Sequence, residues 1–82
     1  MVRRFTQSKN FTKSVDKLDN FEFSRLQNLL RKIIENPNVG KPMRYQRKGT
    51  RELYMKPFRL SYLYNSQEDV IIFLELYHKK HQ

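Results

Sequence analysis

At 82 residues the chain has the length of one domain around one modest core, with no room for a separate substrate domain, and residues 1–82 are therefore read as a single domain. Its 17 Lys and Arg against 8 Asp and Glu give a formal net charge of +9, a balance that suits polyanions: nucleic acid, an acidic protein or an anionic membrane surface. With no cysteine, disulfides and thiolate metal sites are excluded, and no apolar stretch approaches the roughly 20 residues that span a bilayer.

The amino end, Met1 to Ser8, lacks the apolar middle region of a signal peptide, so a cytoplasmic protein without membrane association is expected. Val2 to Thr6 is predicted as a short strand, its alternation weakened by Arg3 and Arg4. Ser8 is a suitable N-cap for a short amphipathic helix on which Phe11, Val15 and Leu18 recur at helical spacing. Asp19-Asn20 breaks that helix and caps a second. There Phe23, Leu26, Leu29, Leu30, Ile33 and Ile34 form a broad apolar stripe, and Asn36-Pro37 ends it because the residue before a proline is pushed out of the α region.

Asn38 to Gly49 reads as a basic connection with room for a short strand over Met43–Gln46. Arg51 to Lys56 then alternates Leu53 and Met55 against Glu52, Tyr54 and Lys56, and Pro57 interrupts before the next strand, Phe58 to Tyr64. Asn65 to Asp69 is a polar hairpin connection. Val70 to Leu74 is apolar and β-branched, the composition of an interior strand. The expected fold class is α+β: a small, mostly antiparallel, twisted sheet packed against an N-terminal two-helix hairpin.

Positive charge concentrates between Lys41 and Arg59, where Lys41, Arg44, Arg47, Lys48, Arg51, Lys56 and Arg59 face a single acid, Glu52. The carboxyl end adds His78, Lys79, Lys80 and His81, and a hairpin between the last two strands would bring both groups to one surface. Arginine suits a phosphodiester because its planar fork donates two parallel hydrogen bonds to phosphate oxygens, while Tyr45, Tyr54, Tyr62, Tyr64 and Tyr77 offer faces for unpaired bases. A solvated charged face with half-buried tyrosines is the alternative. Arg59, flanked by Phe58 and Leu60, is expected on the wetter face of the sheet, either toward phosphate or in a salt bridge to Glu52 or Glu75. His78 is a residue type that moves protons near neutral pH, as phosphodiester cleavage requires at the attacking or leaving oxygen. With only Glu75 beside His78 and His81, facing the other way, neither a metal site nor a cofactor is expected.

Phe58-Arg59-Leu60-Ser61-Tyr62 resembles the aromatic-Arg-aliphatic-x-Tyr strand of the RelE/ParE superfamily of type II toxin-antitoxin toxins, and Glu75-Leu76-Tyr77-His78-Lys79-Lys80 resembles that family's closing strand and basic tail. The order of elements agrees over nearly the whole chain. The resemblance implies a metal-independent endoribonuclease that enters the ribosomal A site and cuts mRNA by attack of the ribose 2′-OH, leaving a 2′,3′-cyclic phosphate and a 5′-OH. It also implies neutralisation by an acidic antitoxin. Carried over residue by residue, it makes Arg59, His78, Lys56 and Lys80 the catalytic candidates and puts Arg51 on a strand where such toxins carry basic site residues; the basic cluster and its tyrosines add Arg44, Arg47, Lys48, Tyr77 and Lys79 to Arg51 as RNA-binding candidates, with Glu52 or Tyr77 as other carriers of the proton. Many members have a tyrosine a few residues beyond the basic tail; here the available one is Tyr77. A runner-up shares the fold, a ParE-like toxin that acts on DNA gyrase without nuclease chemistry; a third reading is a plain RNA-binding module with a basic sheet and no catalysis.

Overall fold

The structure is a computed structural model that describes residues 4–43 and 49–78. Its elements are β1 (Arg4–Gln7), α1 (Lys9–Asp16), α2 (Asn20–Glu35), β2 (Lys41–Pro42), β3 (Thr50–Met55), β4 (Phe58–Asn65) and β5 (Val70–His78). The five strands form one sheet in the order β1-β5-β4-β3-β2, antiparallel except where β1 runs parallel to β5. This is the α+β architecture expected. The predicted first strand is present over its described part, Arg4–Thr6, and runs on to Gln7, while Val2 and Arg3 lie outside the described residues; a short strand forms at Lys41–Pro42, and of the segment Met43–Gln46, where one was expected, Arg44, Tyr45 and Gln46 lie outside the described residues.

Local chemistry sets the helix ends. The Ser8 hydroxyl accepts from the Phe11 N–H at 3.1 Å and so starts α1. Asp19 and Glu22 form a reciprocal capping box at the start of α2: the Glu22 N–H donates to Asp19 Oδ1 at 2.7 Å and the Asp19 N–H to Glu22 Oε1 at 3.1 Å. Asn36, ahead of Pro37, leaves the helical region and caps α2. Among the described residues no helix is long and apolar enough to cross a membrane.

Both helices lie on one face of the sheet. Phe11, Leu26 and Ile33 from the helices meet Met55, Leu60, Tyr62, Ile71, Phe73 and Leu76 from the strands, and all nine are buried. Phe11 stacks on Phe73 with ring centroids 5.6 Å apart, and burying one such side chain is worth about 1.5–3 kcal/mol.

Tyr62 joins this core to the chain leaving α2. Its ring is fully buried, its hydroxyl donates to the Pro37 carbonyl at 2.7 Å, and it accepts from the Gly40 N–H at 2.9 Å. A Cβ on Gly40 would lie 2.6 Å from that hydroxyl oxygen, so only glycine allows this approach. Arg51 closes the arrangement from β3, donating from Nη1 to the Gly40 carbonyl at 2.7 Å and the Asn38 carbonyl at 3.2 Å.

Removal from water raises the pKa of the Tyr62 phenol above its ordinary 10.0, against smaller lowering effects of the Gly40 hydrogen bond and the Arg51 charge. The folded state therefore holds this proton more tightly than the unfolded chain. Stability from this group is complete below pH 10 and is lost as pH rises from there through the folded value. Chemical denaturation of Tyr62→Phe is expected to show a loss of about 1–3 kcal/mol at neutral pH, from the unpaired Pro37 and Gly40 groups, with a smaller further decline above pH 10 than in the parent. Arg51→Ala is expected to lose about 1 kcal/mol in the same measurement, through loss of its hydrogen bonds to the Gly40 and Asn38 carbonyls.

Candidate functional site

Strand pairing divides the side chains of β3, β4 and β5 between the helix-covered face and an open one. On β4, Leu60 and Tyr62 are buried toward the helices, which turns Arg59 and Ser61 to the open face. Arg59 is in register with Tyr54 of β3 and Tyr77 of β5; Ser61 is in register with Glu52 and Glu75. Lys41 of β2 is in register with Glu52 and so joins the same face from the sheet edge.

At the centre of the open face the Glu52 carboxylate accepts from Arg59 and Tyr77. Glu52 Oε1 accepts from Arg59 Nη1 at 3.2 Å, and Glu52 Oε2 accepts from the Tyr77 hydroxyl at 2.5 Å. Glu52 is thus the acid that pairs with Arg59. The Glu52 side chain is 10% exposed and the Arg59 side chain 30%, so the arginine can be approached from solvent while the acid is nearly enclosed. A carboxylate this enclosed requires its partners: removing the arginine takes the cation away from a nearly enclosed acid. Arg59→Ala would then weaken the fold as well as the site, whereas Arg59→Lys keeps a cation against Glu52.

The other predicted residues are distributed unevenly. Tyr77 is half-buried beside Arg59, and Tyr54 is exposed there. Lys56 lies exposed in the turn between β3 and β4, where its carbonyl accepts from Arg25 Nη1 at 2.8 Å. Arg51 is in register with the buried Tyr62, on the helix-covered side, engaged with the loop carbonyls. His78 is in register with Phe58, whose ring it meets edge-on at 5.6 Å; it too lies on the helix-covered side, and the structure does not bring it to Arg59. Arg44, Arg47, Lys48, Lys79 and Lys80 lie outside the described residues.

Two of the tyrosines considered for base stacking are not available for it. Tyr62 is fully buried, and the half-buried Tyr64 donates to Asp69 Oδ1 at 2.7 Å. Sequence reasoning counted Lys41 in the basic cluster but did not place it beside Glu52, since the two-residue strand that aligns them has no periodic signal. Among the described residues no three His, Asp or Glu side chains gather as a metal site.

Arg59, Glu52 and Tyr77 offer a cation that can bind an anionic oxygen, a base that can take a proton and a hydroxyl that can donate or relay one. Together they suit chemistry at a phosphate, with charge stabilised by the guanidinium.

The same architecture recurs among solved structures. Similarity to the toxin-antitoxin complex RelBE2 from Mycobacterium tuberculosis has a TM-score of 0.82 at 19% identity and covers 95% of this chain and 92% of that one. For the YoeB/ParE toxin from Agrobacterium tumefaciens the values are 0.81 and 11%, covering 92% and 96%. For YafQ from E. coli they are 0.74 and 22%, covering 96% of each chain. No curated protein matches the chain. Residues 6–82 match the family described as the ParE toxin of the type II toxin-antitoxin system, parDE. The two-helix, five-strand fold is shared with the RelE, YoeB and YafQ toxins, and with the family match running from β1 past the end of β5 the chain belongs to the ParE toxin family of type II toxin-antitoxin systems.

Proposed function

We propose that the chain is a metal-independent endoribonuclease toxin that cleaves ribosome-bound mRNA in the cytoplasm and is held in check by an acidic antitoxin. The observation that carries this reading is the line of Arg59, Glu52 and Tyr77 on the open sheet face of a +9 protein. A phosphodiester lying on that face would meet the Arg59 fork. The 2′-oxygen attacks phosphorus while its proton passes to a base, the P–O5′ bond breaks, and the departing oxygen takes up a proton. Arg59 stabilises the extra negative charge of the pentacovalent phosphorus. Glu52 is the group best placed to accept the 2′-hydroxyl proton, with Tyr77 as donor or relay; the position of His78 beside Phe58 supports these two over the histidine.

Lys41 on the open face and Lys56 at its turn add charge for the RNA backbone, and Tyr54 and Tyr77 offer rings to the bases. An antitoxin follows from the same electrostatics, since an acidic partner over a basic face would associate quickly and cover the site. The solved relative RelBE2 is a toxin-antitoxin complex.

The match to the ParE family favours a second reading, in which the toxin acts on DNA gyrase without nuclease chemistry. Cleavage of ribosome-programmed mRNA, with product ends mapped, separates the two. The proposed activity requires 2′,3′-cyclic phosphate and 5′-OH ends without added metal; intact mRNA together with inhibited supercoiling would establish the gyrase reading instead.

Arg59→Lys is expected to keep the fold, because the ammonium still faces Glu52, and to slow single-turnover cleavage by about 10² to 10³ through loss of the bidentate fork. A melting temperature near the parent's with cleavage at the parent's rate would remove Arg59 from the chemistry.

A further inference from the structure

We infer that Glu52 is a built-in competitor for the phosphate site, its carboxylate occupying the same two donors that a phosphodiester must take. The inference rests on the reading that Arg59 meets phosphate. Carboxylate and phosphate both present pairs of anionic oxygens to hydrogen-bond donors, and the guanidinium fork fits either. Here Oε1 of Glu52 takes Arg59 Nη1 and Oε2 takes the Tyr77 hydroxyl.

Position makes this competition effective. Glu52 belongs to β3, its backbone is fixed in register with Ser61, and its side chain is 10% exposed, so the internal anion is always at hand. Arg59 is 30% exposed and remains open to an external anion. An incoming phosphate must displace the carboxylate from at least one donor, and until it does the two negative groups repel each other across a short distance. A single phosphate or chloride gains little by doing so and succeeds only at high concentration. A polyanion anchored elsewhere on the face, by Lys41 or Lys56, can supply the extra attraction, so Glu52 favours long, multiply held phosphodiester chains over free anions. Once displaced, the carboxylate is freed from Arg59 beside the bound phosphate, where a base is required.

Equilibrium binding tests this apart from catalysis. Inorganic phosphate is titrated into the full chain and into Glu52→Gln, with the resonances of the Arg59 guanidinium and the Tyr77 ring as the readout and thermal melts as the check on folding. The Gln variant is expected to reach half-saturation at a phosphate concentration roughly tenfold lower than the parent, since it keeps an acceptor for Tyr77 but removes the competing charge. The double variant Glu52→Gln/Arg59→Gln should lose that gain. If Glu52→Gln does not fold, Glu52→Asp serves in its place: one methylene shorter, its carboxylate should hold the two donors less well, and phosphate should bind more tightly than to the parent by a smaller factor. Equal or weaker binding by the folded variant overturns the inference and makes Glu52 a support for Arg59, leaving the phosphate role of Arg59 intact. Resonances unmoved by phosphate in parent and variant alike overturn both.

Discussion

One extra residue in β5 decides which side chains stand at the site. Ser61 of β4 is in register with Glu75, but its neighbour Tyr62 is in register with Phe73, so Leu74 is inserted between two registers. Before this bulge the odd-numbered Ile71 and Phe73 face the helices; after it the even-numbered Leu76 and His78 do. The change of parity keeps the charged Glu75 out of the core and presents Tyr77, rather than His78, beside Arg59. Ser8 secures the irregular backbone, its N–H donating to the Phe73 carbonyl and its hydroxyl to the Leu74 carbonyl. The same residue caps α1, so the start of the helix, the bulge and the site are fixed together.

Two arginines from the same hairpin illustrate how parity assigns roles. Arg51 and Arg59 lie on adjacent strands and bear the same charge, yet one braces the loop after α2 while the other faces solvent beside an acid. Neither can exchange roles with its neighbour in sequence, because a slip of one residue would turn Leu60 and Tyr62 outward and Arg59 into the core. Tyr62 enforces this register twice over, through its buried ring and through the hydroxyl that holds Pro37 and Gly40.

The site is also a stability problem. Enclosing Glu52 is unfavourable unless its oxygens are satisfied, so the groups that perform the proposed chemistry are the ones that keep the acid from destabilising the sheet. Fold and function are coupled at Glu52: the carboxylate that would accept a proton during cleavage is the one that holds Arg59 and Tyr77 in the structure described here.

The sequence by itself determined the local features. Ser8, Asp19 and the Asn36-Pro37 pair mark the helix ends through hydrogen bonds and sterics that reach no farther than a few residues, and helical spacing already exposed Phe11, Leu26 and Ile33 as core. It placed Arg59 on the wetter face, flanked as it is by the apolar Phe58 and Leu60. Tertiary structure alone decided that Glu52 rather than Glu75 meets Arg59, that Lys41 joins the open face, and that His78 turns away from it. Those outcomes depend on register between strands distant in the chain and on a bulge that reverses alternation. A period of two read along a single strand carries no information about where that period is broken.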